Sequence, residues 1–137
     1  MGGQSLRLGL LSETYLLTGR MEAAVQLAER ALTLAHEHQE RGYQAWTLRL
    51  LGEVAAHQQP TQVQPAEHHY HQAMALAAEL GMRPLQAHCH RGLGTLYTKI
   101  GRTEHARVAL ATAIALYRTM GMTFWLSQAE EALVQAV

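Results

Sequence analysis

Apolar residues along this chain recur in steps of three and four. Thr47, Leu50 and Val54 form one such stripe, Cys89, Gly92 and Leu96 another, and Trp125, Ala129, Ala132, Leu133 and Ala136 a third. Positions spaced this way share one face of a helix. The strict alternation of a half-buried strand is hard to find. The spacing predicts helices at about 4–18, 21–38, 41–58, 63–80, 83–99, 103–120 and 123–136. Pro65 and Pro84 fall just inside two of these, where a missing N–H costs nothing, and Pro60 falls in a loop. Alanine, leucine, glutamate, glutamine and arginine dominate, and all are strong helix formers. The fold class read from the pattern is all-α.

The pattern also repeats. LGTLYTKIG from Leu93 matches LGEVAAHQQ from Leu51 and LSETYLLTG from Leu11. The leading leucines, Leu11, Leu51, Leu93 and Leu133, stand 40, 42 and 40 residues apart. Alanines keep the same register, as Ala24, Ala66 and Ala106 and again as Ala31, Ala73 and Ala113. The two extra residues of the middle copy fall in QQPTQVQP, from Gln58 to Pro65.

Leu, then a small residue, then Tyr, a turn Gly and two spaced alanines is a pattern that resembles the tetratricopeptide repeat (TPR). Leu93, Gly94, Tyr97, Gly101, Ala106 and Ala113 fill it in the third copy, and Leu11, Ser12, Tyr15, Gly19, Ala24 and Ala31 in the first. In the second copy Ala55 stands for the tyrosine and Gln59 for the glycine. The period of about 40 exceeds the usual ~34, as in long arrays of multidomain bacterial regulators. The resemblance implies an α-α superhelix of three helix-turn-helix repeats, at about 4–40, 41–82 and 83–122, with a capping helix at 123–137. Residues 4–137 then form a single domain, and residues 1–3 a disordered or added start. Each repeat is a hairpin whose apolar face needs a neighbour to cover it. Gly94 and Ser12 sit where the second helix crosses the first, with Ala106 and Ala24 opposite, and Tyr97 and Tyr15 fill the remaining gap. The stripe Arg7, Leu10 and Thr14 of the first helix is more polar than its counterparts, as at a native end of the array, whereas exposed leucines at 6, 10 and 17 fit a cut through a longer array equally well.

Charge narrows the function. The formal net charge is zero and the pI about 7.1, without the basic excess of a nucleic-acid binder or a polybasic membrane-surface protein. No apolar run approaches the ~18 residues that span a bilayer. The single cysteine, Cys89, precludes an intrachain disulfide and points to the cytoplasm. Its place in an apolar stripe makes it a buried small residue rather than a nucleophile. Gly92 and Gly94 lie inside a helix and form no phosphate loop. The chain carries no enzyme signature and calls for no cofactor.

Nine histidines include HEH at His36–His38, HHYH at His68–His71 and HCH at His88–His90. His68 and His71 share a helix face and could chelate an ion, but a zinc site needs three or four ligands. His88 and His90 point ~200° apart, and His90 takes a packing position. No metal site follows.

What the resemblance implies instead is a concave groove, lined by the first helix of each repeat, that takes a peptide or a partner protein. Counting turns from the motif assigns Leu6, Gly9, Glu13 and Leu17, then Trp46, Arg49, Glu53 and His57, then His88, Arg91, Thr95 and Lys99, and Gln128, Glu131 and Gln135 from the cap. Trp46 between Arg49 and Glu53 has the composition of a binding hot spot. The absence of Asn, and the offset of Arg49, Arg91 and Lys99 by Glu13, Glu53 and Glu131, disfavour a receptor for chaperone tails. The leading function is a protein-interaction scaffold within a larger bacterial protein, as a monomer or as a weak homodimer through the array ends. A self-assembly module is the alternative, and a small-molecule or metal sensor a third.

Overall fold

The computed structural model describes residues 2–17 and 19–136, with side chains from Arg7 onward. Among them are seven helices: α1 (Gly2–Leu17), α2 (Met21–Glu37), α3 (Arg41–His57), α4 (Val63–Leu80), α5 (Arg83–Lys99), α6 (Thr103–Met120) and α7 (Thr123–Gln135). The fold is all-α, built as successive helical hairpins with a closing helix. The largest departure from expectation is at α1, which takes in Gly2 and Gly3. Glycine weakens a helix by only about 1 kcal/mol against alanine, so two at a helix start do not exclude one. The expected helical residue 18, and residues 1 and 137, lie outside the described residues, as does the side chain of Leu6.

Five of the turns share one closure. Gly19, Gly81, Gly101 and Gly121 adopt left-handed backbone with φ of 80°, 70°, 82° and 68°, and Gln39 does so at 55°. The residue after each, Arg20, Glu40, Met82, Arg102 or Met122, donates its N–H to a carbonyl five residues back, at 2.7–3.0 Å. Carbonyls orphaned at a helix end are satisfied this way. The connection from α3 to α4 is different. Gln58 leaves the helix in extended conformation, and Gln62 N–H closes the loop on the Ala55 carbonyl at 3.0 Å.

Contacts group the chain into two compact units, Met1–Leu76 and Ala77–Val137, where the sequence reads as one run of repeats. In the first unit Leu16, Ala24, Ala28, Leu50, Leu51 and Val54 make a core, with Tyr15, Val25 and Trp46 packed against it. The small residues earn their places differently in each hairpin. Ser12 is fully buried and its hydroxyl donates to the Ala24 carbonyl at 2.5 Å, joining α1 to α2. A Cβ on Gly52 would lie 3.0 Å from the Tyr70 ring. The buried Tyr70 ring of α4 thus lies against Gly52 of α3 and takes the space a side chain there would need.

In the second unit Ala87, Ala113, Ile114, Tyr117 and Ala129 form the core. Gly94 meets Leu110: an added Cβ would fall 2.4 Å from Leu110 Cγ. The expected opposite residue, Ala106, is buried, but Leu110 one turn further on is what requires glycine here. On α7, Ala129 is buried and Ser127, Glu130 and Glu131 are exposed, as the stripe predicts. Its outer face is less polar than expected, because Phe124 and Val134 are exposed on it.

One histidine couples the first unit to pH. His69 on α4 is half-buried, and its Nδ1 is buried with no hydrogen-bond partner. Burial, and then neighbouring His68, hold its pKa below the usual 6.5, against the opposing pull of Gln72 and Glu29. The folded chain thus binds this proton less readily than the unfolded chain. Stability from this group is complete above 6.5 and declines as pH falls from there toward the depressed value. Thermal melts should show a lower midpoint at pH 5 than at pH 7.5, and His69→Gln should shrink that difference.

Candidate functional site

The first helices meet within each unit, α1 with α3 and α5 with α7. At the α1–α3 junction the ring of Trp46 lies against the backbone of Gly9, where an added Cβ would fall 2.2 Å from the ring. Trp46 is half-buried and packs on the core of the first unit. Beside it Arg49, only 7% exposed, bridges two carboxylates. It donates to Glu53 one turn along its own helix and to Glu13 of α1 at 3.3 Å. Glu13 and Glu53 are each partly exposed. Arg49 is thus committed to holding α1 and α3 together, and a buried guanidinium stripped of its partners would be costly.

His57, one turn beyond Glu53, is exposed, and its Nδ1 lies 2.7 Å from the Glu53 carbonyl. It borders a cleft of about 920 Å³ shared with Met21, Val25, Glu29 and Gln62. This cleft opens beside α2 and the α3–α4 loop, so His57 serves a concavity that the motif count does not reveal. Leu17 projects into solvent at 82% exposure.

At the α5–α7 junction the arrangement is more open. Tyr117 of α6 is fully buried, and its hydroxyl lies 2.6 Å from His88 Nδ1 and accepts the Arg91 Nε–H at 3.2 Å. The Arg91 guanidinium sits over the Trp125 ring, 4.8 Å from its centre, a cation–π contact. His88 meets the edge of the same indole at 4.9 Å, and Phe124 flanks it at 5.0 Å. His88, Arg91 and Trp125 are each half-buried. Thr95 is exposed and its hydroxyl donates to the Arg91 carbonyl at 3.1 Å. Lys99 and Glu131 are exposed. The expected offset by Glu131 does not reach Arg91. None of the described carboxylates pairs with Arg91, whereas Arg49 has two and Arg107 and Arg118 one each.

The turn count therefore brings Glu13, Trp46, Arg49 and Glu53 together in one unit, and His88, Arg91 and Thr95 in the other. It missed Tyr117 and Trp125, which lie 26 and 34 residues beyond Arg91. Trp125 is legible as a member of the inward stripe of the last helix, but not as a partner of Arg91, and Tyr117 only as an aromatic residue close to TMGM, where the last hairpin ends. The remaining histidines are scattered: His36, His38, His68 and His71 are exposed and His90 half-buried. Among the described residues no three His, Cys, Asp or Glu side chains gather as metal ligands would. Cys89 is buried. No described helix is long and apolar enough to cross a membrane.

Residues 7–38 match the family model described as Tetratricopeptide repeat. No curated protein matches the chain. Fourteen chains of solved structure do. One is the crystal structure of BtubC (BKLC) from P. vanneervenii, at a TM-score of 0.73 and 21% identity over 96% of this chain. The chain spans 58% of that protein's length. At such identity the likeness is one of fold.

Proposed function

Taking the chain as a member of the tetratricopeptide-repeat family, we propose that it is a scaffold that captures a peptide or partner protein on the faces of its first helices. Of the residues assigned by the motif, Glu13, Trp46 and Glu53 supply that surface in the first unit, with buried Arg49 holding the two carboxylates from beneath and His57 at its margin, and His88, Arg91, Thr95, Lys99 and Glu131 supply it in the second. The observation that carries the reading is the junction of α5 and α7. Half-buried aromatic and cationic side chains are held there in fixed positions, which lowers the entropy lost on binding. In this reading the chain is a regulatory segment of a larger bacterial protein, and its lone thiol fits the cytoplasm. Affinity capture with the chain as bait, followed by calorimetry on each captured protein, tests the reading. Arg91→Gln should weaken binding at least tenfold, with the circular dichroism spectrum and melting temperature kept. His68→Ala combined with His71→Ala should leave binding intact. The opposite pattern would move the site to the outer face of α4.

A second reading has its own support. In α3 the stripe Thr47, Leu50 and Val54 is buried, whereas Leu10 of the corresponding stripe in α1 is 48% exposed. Self-association through α1 would cover it. Light scattering at rising concentration decides: growth in mass that Leu10→Glu abolishes supports this reading, and a constant monomer removes it.

A further inference from the structure

We infer that the cleft beside α2 is a receptor for a linear aliphatic polyamine, a ligand site separate from the first-helix faces and independent of the capture reading. The cleft, of about 920 Å³, has one wall from the start of α2 and the other from His57 and the loop that joins α3 to α4. Glu22, Val25, Gln26 and Glu29 line it from α2, at a spacing that keeps them on one helix face. Glu22 and Glu29 are two turns apart, about 10 Å along the axis, with Val25 between them. Met21 and Val25 are half-buried and packed on the core of the first unit. The result is an apolar floor with an exposed carboxylate at each end.

The charge of the cleft is not answered from within. Among the described residues no lysine or arginine lines it, and neither Glu22 nor Glu29 takes part in the ion pairs of Arg49, Arg107 and Arg118. Arg20, next to Met21, holds its guanidinium over the Tyr15 ring instead, 5.6 Å from its centre. Glu29 has His69 as an electrostatic neighbour, but burial, and then His68, favour the uncharged form of that imidazole. Beyond His57, the opposite wall consists of Gln58, Gln59 and Gln62, all neutral amides. Gln62 donates its side-chain N–H to the Pro60 carbonyl at 3.2 Å, which leaves its amide oxygen to accept.

This lining selects a ligand by shape and charge together. Two ammonium groups joined by methylenes would set one charge on each carboxylate and lay hydrocarbon over Met21 and Val25. A secondary ammonium in the middle would meet amide oxygens. One metal ion cannot take both carboxylates, because its ligands must lie within a few ångströms of it. A lysine-rich peptide carries the same ammonium groups, but its backbone would place amides rather than methylenes over Val25.

The test is titration of the full chain with spermidine at pH 7.5 and low ionic strength, followed residue by residue by nuclear magnetic resonance. Spermidine should move the signals of Glu22, Val25, Glu29 and Gln62 saturably at millimolar concentration or below. Glu37, on the same helix but outside the cleft, should stay unmoved. An unbranched eight-carbon diamine has the same end-to-end span and should bind within a few-fold of spermidine. A four-carbon diamine is too short to reach both carboxylates and should bind at least tenfold more weakly. Glu22→Gln and Glu29→Gln should each weaken spermidine at least fivefold, and Glu37→Gln should have no effect. Gln26→Lys places the protein's own ammonium between the carboxylates and should abolish binding. All four positions are exposed, so the circular dichroism spectrum should not change. Equal binding of the short and long diamines, an equal loss from Glu37→Gln, or shifts spread over carboxylates throughout the chain would overturn the assignment. Tighter binding of trilysine than of spermidine at the same residues would overturn it in favour of a basic peptide.

Discussion

Gly94→Leu is expected to destabilise the second unit by about 3 kcal/mol or more, at or above the upper end of the usual cost of overpacking a core. The reason is local. A Cβ alone would stand 2.4 Å from Leu110 Cγ and 2.7 Å from its Cδ2. These atoms cannot retreat as the tip of a long side chain can, because Leu110 is itself fully buried. Either α5 and α6 separate or Leu110 leaves its rotamer. Gly42→Ala is the matched control. It is also a helical glycine, but an added Cβ there meets nothing within 4 Å, so alanine should be neutral or stabilising by up to about 1 kcal/mol. Leu110→Ala should recover part of the loss in the Gly94→Leu background, since the two side chains compete for one space. Denaturant melts of these three variants, of Leu110→Ala alone and of the parent measure this directly. A Gly94→Leu chain as stable as the parent would show that the α5–α6 crossing lies elsewhere.

Trp46→Ala should cost about 2–4 kcal/mol of stability, by removing a large ring from a packed site. This changes what the residue means. As a groove residue, Trp46 reads as an anchor whose loss weakens capture alone. In the fold its ring lies on the Gly9 backbone and packs on the first unit's core, so folding and binding are coupled there. Gly9→Leu in the wild-type background should also destabilise, since its Cβ would fall 2.2 Å from the ring. Combined with Trp46→Ala, the same leucine enters vacated space, and the double variant should be more stable than the sum of the single effects allows. Strict additivity would mean that the two residues do not touch. For function, the consequence is that Arg91 is the better probe of capture, because its loss opens no core.

How much of this was legible follows from which physics each feature obeys. Helix positions were, because they depend on local signals: Gly19, Gly81, Gly101 and Gly121 stop helices wherever left-handed backbone is needed. The hairpin crossings were half legible. Small residues at positions 12, 52 and 94 announce a close approach, but Ser12 uses a hydrogen bond, Gly52 a tyrosine ring and Gly94 a leucine. The repeat pattern carries the vacancy and not its occupant. The state of each arginine was not legible from helix faces alone. Arg49 and Arg91 occupy one slot, yet one is sealed by Glu13 and Glu53 while the other rests on Tyr117 and Trp125. That outcome depends on contacts across more than 25 residues of sequence, set by how helices pack. The exchange of Glu53 for Thr95 was the one visible clue, and its meaning needed the Arg49 bridge beside it.

The histidines of the chain are natural reporters of which face a partner covers. Diethyl pyrocarbonate modifies accessible imidazoles, and mass spectrometry reads each site. His57 and His88 lie on the first-helix faces, whereas His68 and His71 lie exposed on α4. With the captured partner bound, modification of His57 or His88 should fall several-fold while His68 and His71 react as in the free chain. Protection of His68 and His71, with His57 and His88 unchanged, would contradict capture on the first helices.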